Sequence, residues 1–374
     1  MLAEEAPEII RGTISAQDTL KRFLPHLLTL IFPLNAFVYV LTGPHPAWVA
    51  ALFLLPIYGS VWLDQRSGSE LRAPAEQIAT WPFDALLVLL CALQVANVAL
   101  LARMMGQAPA LLAFDTIAAM IVVGSSSGYS GIVVAHELIH RTSRRWQMLG
   151  RLLLCTVMYE HFYTEHVRGH HARVGTREDP ATARFGESFN RFYLRTVPAQ
   201  LKSAWRLEAA RLGDADMRWY DPRLLKSRVV HGIVVECGLA AIVAGMFGAP
   251  SLLVHLLQAW WATRALEVVN YFEHWGLERQ NKRVLPTDSW DTHSRFTYYA
   301  LVGLTRHADH HAFASRPYQQ LRVWSQSPKL PAGYLAMFPL VLMRNRRFQQ
   351  LMTAELRARK LGPFAAPHAQ PESP

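Results

Sequence analysis

Six long apolar runs, set apart by polar segments of very unequal length, dominate the chain; they cover about 23–43, 45–63, 83–104, 112–135, 229–247 and 250–272. Each approaches the roughly 20 residues that carry a helix across the hydrocarbon core of a bilayer. The runs fall into pairs. Gly43, Pro44 and Pro46 interrupt the chain between the first two, MMGQAP stands between the third and fourth, and FGAPS between the last two. Such Gly/Pro clusters mark reversals. These reversals carry almost no basic residues, Arg103 being the nearest. The opposite ends carry Lys21 and Arg22, then Arg141, Arg144 and Arg145, then Arg279, Lys282 and Arg283. Because Lys and Arg accumulate on the cytoplasmic side, the pattern predicts an all-α integral membrane protein: six transmembrane helices in three hairpins, with both termini in the cytoplasm.

The polar segments complete this plan. Residues 1–22 form a cytoplasmic N-terminal segment, 23–135 the first four spans, and 229–272 the last two. The Arg-rich stretch 136–228 includes SFNRFYLRTVPAQLKSAWRLEAARL, whose apolar positions recur at helical spacing and predict amphipathic helices beneath the bundle. In 273–360, PAGYLAMFPLVLMRNRR is apolar but short and contains Pro339, which places it at the membrane interface. The tail 361–374 reads as disordered. The N-terminus, MLAEEAPEIIRG, has no apolar core and is not a signal peptide.

Composition alters this picture little. The formal net charge of +10 invites a nucleic-acid reading, but no binding module accompanies it, and membrane topology accounts for the excess of Arg. Cys91, Cys155 and Cys237 each lie in an apolar run without a CxxC. They read as small buried hydrophobes in a reducing compartment. The chain therefore has no four-cysteine iron site of its own.

The chemistry lies in the histidines. Of the 16, nine cluster: His136 and His140 in HELIH, His166, His170 and His171 in EHVRGHH, His274 in NYFEHWG, and His307, His310 and His311 in LTRHADHH. Spacings of three and four put side chains on one helical face, so each cluster is expected to aim its imidazoles at a common point. All nine fall on the predicted cytoplasmic side. Nine ligands suit two metal ions, and imidazole suits Zn, Cu, Fe or Ni equally. HELIH alone also matches the H-E-x-x-H motif of a zinc protease, with Glu137 as base, but that reading leaves at least six histidines idle. His26, His45, His161, His231, His255, His293 and His368 are scattered, and His161 stands just ahead of the second cluster.

The set H-x3-H, H-x3-HH and H-x2-HH resembles the histidine boxes of the membrane fatty acid desaturase and hydroxylase superfamily. NYFEHWG, LTRHADHHAFASRPYQQLR, EDPATARFGESFNRF and LPAGY look like the corresponding segments of its AlkB-type alkane monooxygenase branch, over about 110–345. The resemblance implies two non-haem irons held by the nine histidines, with O2 as co-substrate. It implies terminal hydroxylation of a medium or long alkyl chain, and electrons from a rubredoxin or ferredoxin with its reductase. Fatty acid decarboxylation to a 1-alkene, or desaturation, is the alternative on the same scaffold. A non-catalytic metal-storage or scaffold protein is a third reading. Trp275 stands where the branch usually has Tyr, and Asp291 where Asn is usual; both bear on the outcome of the reaction.

Glu137, Glu165, Glu273 and Asp309 adjoin the ligands in sequence and are expected to accept their second N–H groups, since metal-bound imidazoles usually give that proton to a carboxylate or carbonyl. Within the spans, Asp115, Glu236, Arg264 and Glu267 should be partnered, with Arg264 and Glu267, three apart, forming a pair. Trp62, Trp260 and Trp261 are candidates for lining an apolar substrate slot.

Overall fold

The structure, a computed structural model, describes residues 8–107 and 110–365. It opens with a short strand, β1 (Ile10–Thr13), and a long helix, α1 (Ala16–Thr42), started by Ser15, whose hydroxyl accepts from Asp18 N. Next come α2 (Ala47–Arg66), β2 (Ala75–Gln77), α3 (Trp81–Gly106) and α4 (Phe114–Ile139). The extramembrane helices α5 (Arg144–Cys155), α6 (161–173) and α7 (Phe189–Arg211) precede the hairpin of α8 (Arg228–Phe247) and α9 (Ala249–His274). The chain ends in α10 (Arg295–Ala300), α11 (His307–Ala312), α12 (Tyr334–Met343) and α13 (Asn345–Arg359).

Five of the six expected spans are long and apolar enough to cross a bilayer: α1, α2, α3, α4 and α8. The sixth, α9, is 26 residues long, but His255, Gln258, Arg264, Glu267 and Asn270 set it apart from those five. The reason is its position. It packs against α3, α4, α8 and α12, so its polar groups find partners inside the bundle. Gln258 accepts from Ser127 Oγ at 2.8 Å and donates to Thr156 O at 3.1 Å. In a bilayer, buried polar groups must be satisfied in this way.

The three reversals lie together. A Cβ on Gly43 would meet Met104, one on Gly106 would meet Phe247, and Asp115 accepts from His45 N at 3.1 Å. Gly248, at φ +85°, supplies the left-handed turn between α8 and α9 that a side chain would strain. At the other end the connecting segments form a cap. The all-α expectation needs one correction there, because β1 and β2 form a parallel pair that aligns Ile10 with Ala75 and Thr13 with Gln77. Four and three residues, mostly exposed, leave no alternation to read. Arg306 then ties the β2 loop to the α11 segment by donating to the carbonyls of Glu70 and Arg72.

Two other expectations change. Cys237 is exposed, unlike Cys91 and Cys155, because it lies on the outer face of α8. Within the tail, Leu361 and Phe364 pack on the core that contains Trp275 and Phe348, while 366–374 lie outside the described residues.

Candidate metal centre

Four elements bring the nine clustered histidines together at the cap end of the bundle. His136 and His140 close α4, His274 closes α9, α6 carries His166, His170 and His171, and α11 carries the last three. They sort into two groups within which the ligand-capable atoms all lie within 4.8 Å of one another. One group is His136, His140, His166, His171 and His310; the other is His170, His274, His307 and His311. The groups adjoin, with the His171 ring stacked on His311 at a centroid distance of 4.4 Å.

This partition overturns the expectation that each cluster in sequence aims at one point. Residues 166–170 form a π-helical turn, and His171 N–H donates to His166 O, an i→i+5 bond. A π turn brings residues five apart into line where an α turn aligns those four apart. His166 and His171 therefore face each other, Nε2 to Nε2 at 3.1 Å, and His170 turns to the second group. On α11, the α-helical pair His307 and His311 stay together at 3.0 Å, while His310 meets His171 at 3.2 Å. A second π segment, Ser127–Val133, lies directly ahead of HELIH. Gln94 fastens it, donating to Ser127 Oγ at 3.0 Å and accepting from Ser130 Oγ at 3.1 Å.

The donor set fits metal ions. The Nε2 atoms of His136, His140 and His170 are buried with no protein partner, and His274 and His307 oppose their Nε2 atoms at 3.2 Å. Burial, and then the neighbouring imidazoles, hold His171, His307, His310 and His311 well below the usual histidine range. Neutral rings present lone pairs, as metal ligands require. A cation in each group would satisfy nitrogens that otherwise face only one another.

The carboxylates divide. Glu273 belongs to the site: Oε2 lies 3.3 Å from His307 Nε2, and Oε1 accepts from Tyr334 Oη at 2.7 Å. Glu137 does not. It turns away from the imidazoles and accepts from Arg141 Nε at 2.7 Å, because its place on α4 points it at the cap rather than along the His136–His140 face. A zinc protease would need this glutamate beside the metal as its base. Asp309 also turns outward, accepting from Arg316, from Arg322 N at 2.9 Å and from Trp324 Nε1 at 2.8 Å. It clamps the segment after α11 rather than a ligand. Glu165 is held by Arg173 Nη2 at 2.8 Å and Ser203 Oγ at 3.0 Å, and burial pushes it up to about 8.

Sequence reasoning missed Asp179. It is fully buried, its Oδ2 lies 2.8 Å from His170 Nδ1, and Thr182 Oγ1 donates to the same oxygen at 2.6 Å. Burial alone would raise Asp179, but His170 and Thr182 hold it below the usual carboxylate range. The signal was present in EDPATARFGES, though nine residues from the histidine it serves. Tyr334, in LPAGY, was missed for the same reason. Trp275 and Asp291 both face away from the imidazoles. Trp275 Nε1 donates to Glu187 O at 3.1 Å, and Asp291 is paired with Lys329 at 3.5 Å. His161 packs on Tyr159 outside both groups.

Below the histidines lies a cavity of about 310 Å³. Ile132, Val133, Val269, Leu301 and Leu304 line it within six residues of His136, His274 or His307, and Ser125 and Trp261 lie further down. Of the candidate tryptophans, Trp261 lines it. Trp260 stands behind Arg264, and Trp62 is exposed under the Arg66 guanidinium. The expected pair of Arg264 and Glu267 does not form. Glu267 accepts from Tyr159 Oη at 3.0 Å and Gln200 Nε2 at 2.8 Å, whereas Arg264 lies against Phe189, Tyr193 and Trp260. Three residues along a helix turn the side chain by roughly 60° from its start, enough here to separate an inward from an outward face.

The fatty acid desaturase family matches residues 109–340, which hold all nine histidines. The chain is 35% identical over 332 residues to alkane 1-monooxygenase 1 of Pseudomonas aeruginosa, covering 85% of each. It is 37% identical over 266 residues to alkane 1-monooxygenase 2 of the same organism, covering 67% of this chain and 69% of that one. An alkane 1-monooxygenase of Ectopseudomonas oleovorans is 31% identical over 347 residues, 87% of this chain and 83% of its own. The match across the whole histidine core and most of the helical bundle leaves one assignment: this chain is a member of the fatty acid desaturase family, in its AlkB-type alkane monooxygenase branch.

Proposed function

We propose that the protein is an integral membrane di-iron oxygenase that hydroxylates the terminal carbon of medium or long n-alkanes. The observation that carries this reading is the pair of adjoining imidazole groups together with an apolar cavity lined by residues only three to six positions from His136, His274 and His307. His136, His140, His166, His171 and His310 would hold one iron, and His170, His274, His307 and His311 the other. When bound, the iron pair supplies the reductive activation of O2 needed to attack an unactivated C–H bond. The chain's own residues supply the rest. Ile132, Val133, Val269, Leu301 and Leu304 exclude water and hold the alkyl end beneath the histidines. Asp179 orients His170 through Nδ1, and Tyr334 fixes Glu273 at the edge of the second group.

The apolar end of the cavity favours hydroxylation over decarboxylation. A decarboxylase must hold its carboxylate beside the attacked carbon, and Ile132, Val133, Val269, Leu301 and Leu304 offer it no charged or hydrogen-bonding group. The protease reading lacks its base, since Glu137 is engaged by Arg141.

Electrons would come from a rubredoxin or ferredoxin and its reductase. Arg173, Arg177, Arg184, Arg195, Lys202 and Arg206 line an open groove between the end of α6 and α7. Arg173 is three residues from His170, so an acidic carrier seated there stands close to the histidines, and the field of these cations would steer it. The positive-inside bias supports a reading in which the cap faces the cytoplasm and the bundle sits in the plasma membrane.

The test is a product assay. Iron-loaded protein in membranes, with a rubredoxin or ferredoxin system under air, is given dodecane and analysed by gas chromatography–mass spectrometry. 1-Dodecanol is expected. Metal-loaded protein that consumes neither O2 nor alkane with any donor would overturn the reading.

A further inference from the structure

The cap holds a second, polar cavity whose lining includes none of the clustered histidines. It measures about 20 Å³, enough for a single small occupant, and lies where α1, the loop ahead of β2, α10 and the turn at Tyr318–Gln320 meet. Three guanidinium groups line it, those of Arg22, Arg72 and Arg306, against the one carboxylate of Glu70. That carboxylate is already engaged. Arg72 donates to each of its oxygens at 2.9 Å, and Tyr299 Oη donates to Oε2 at 2.6 Å. Arg22 and Arg306 have no carboxylate partner among the described residues. Arg22 donates to Ala73 O at 3.0 Å, and buried Arg306 donates to the carbonyls of Leu321, Glu70 and Arg72. Carbonyls accept these hydrogen bonds but leave the charge unbalanced, which is costly for a buried group.

Two more of the lining side chains carry buried hydrogen-bonding atoms that no protein group serves among the described residues. Gln319 is 6% exposed, and neither Nε2 nor Oε1 of its amide has a partner. His26 is 2% exposed, and its Nδ1 has none. The rings of Phe83, Tyr298, Tyr299 and Tyr318 surround His26 at centroid distances of 4.9–5.7 Å and hold its plane without serving that nitrogen. Buried polar atoms are nearly always bonded, so these call for an occupant. The chemistry of the lining selects its class. The Gln319 amide offers N–H donors, as does His26 in the tautomer with its proton on Nδ1, and the guanidinium charges exceed the carboxylate charge by two. Donors and excess positive charge select an anion, and the volume is too small for a carboxylate or a phosphate. Arg72 is half exposed, which gives the cavity an aqueous mouth.

We propose that this cavity is a halide site that binds one chloride ion, with Gln319 Nε2 and His26 Nδ1–H donating to it and Arg22 and Arg306 balancing its charge. A water molecule satisfies the amide but leaves the two guanidinium charges unbalanced. The ion joins segments that are distant in sequence: α1 through Arg22 and His26, the loop ahead of β2 through Arg72, and the turn after α11 through Gln319. Arg306 brings in the residue that leads into His307. The ion thus fastens both flanks of α11, which carries three of the clustered histidines, without touching them. The site does not depend on the function proposed above and stands whatever the histidines bind.

The full chain in phosphatidylcholine nanodiscs is followed by melting temperature and by the chloride NMR linewidth, as sodium chloride replaces sodium gluconate at constant ionic strength. Gluconate is too large to enter. Saturating chloride should raise the melting temperature by about 2 °C or more. The protein should also broaden the chloride line, and bromide should compete that broadening away. Gln319→Leu removes a donor to the ion and should weaken chloride binding about tenfold. Gln319→Glu sets a carboxylate beside the arginines. It should abolish the broadening and raise the melting temperature in gluconate towards that of the wild type in chloride. Equal melting temperatures in the two salts, with no broadening that bromide reverses, mark a water site and overturn the proposal. A chloride effect that both variants keep in full puts the ion elsewhere and overturns it too. Should the variants fold poorly, bromide located by anomalous scattering in crystals of the wild type fixes the position. Bromide between Gln319 and His26 supports the site, and bromide found only elsewhere ends it.

Discussion

Tyr334 donates its hydroxyl to Glu273 at 2.7 Å, and the other oxygen of that carboxylate lies 3.3 Å from His307 Nε2. A residue of α12 thus fixes the one carboxylate that, among the described residues, reaches the Nε2 of a clustered histidine. A hydrogen bond to a buried charged group contributes on the order of 1.5–3 kcal/mol. Tyr334→Phe should lower kcat about tenfold through a displaced Glu273, with iron content maintained. Steady-state turnover beside metal analysis checks this; full activity would show that Glu273 needs no such support.

Asp179→Asn tests the contact behind His170. Losing a carboxylate that orients a metal-bound imidazole typically weakens metal binding about 10- to 100-fold. The loss should concern one metal per chain, because His170 belongs to the four-histidine group alone. Iron retained after dialysis against a graded chelator is the measurement.

Ala265 lines the cavity at the level of Arg264. Ala265→Phe should close that end and move the preferred alkane to shorter chains by several carbons, at a stability cost of about 1–3 kcal/mol for overpacking. Competition among octane, dodecane and hexadecane reads the shift.

Glu160 is buried against Arg151 and Glu236, and burial first, with Glu236 adding to it, pushes it up to about 7. The native state then binds a proton that the unfolded chain has released above its ordinary value of 4.5. Stability therefore falls as pH rises between about 4.5 and 7, by on the order of 2 kcal/mol. Glu160→Gln, which keeps the protonated shape, should flatten that part of the melting temperature against pH.

The basic groove gives a kinetic prediction. Lys202→Glu with Arg206→Glu should raise the KM for an acidic electron carrier about tenfold or more and weaken its salt dependence, since steering by surface charge is screened over about 10 Å at 0.1 M salt. Alkane KM should move little. Stopped-flow reduction at several ionic strengths separates the two effects.

The bundle and the gathering of the clustered histidines were legible in the chain because both depend on short-range patterns. A run of about 20 apolar residues has few fates other than a spanning helix, and histidines at spacings of three and four announce themselves without a partner in view. α9 was read as one more such run, yet what distinguishes it is that Gln258 and Glu267 find partners on α4, on α7 and on the segment between α5 and α6, which no local pattern reveals. The sorting of the histidines was likewise hidden, because a π turn at 166–170 reassigns His170 and leaves no mark in the letters EHVRGHH. Glu137 follows one clustered histidine directly and Glu273 precedes another, but of the two only Glu273 faces an imidazole.

The sequence by itself determined that this chain forms a helical membrane bundle and which nine side chains would gather at one end, since hydrophobic length and residue type are properties of local segments. Only the tertiary structure decided which imidazoles share a group, which carboxylate reaches them, and that Arg264 stands at an apolar cavity with no ion-pair partner among the described residues. Those depend on the rotation of each helix about its own axis, and that rotation is fixed by what packs against it.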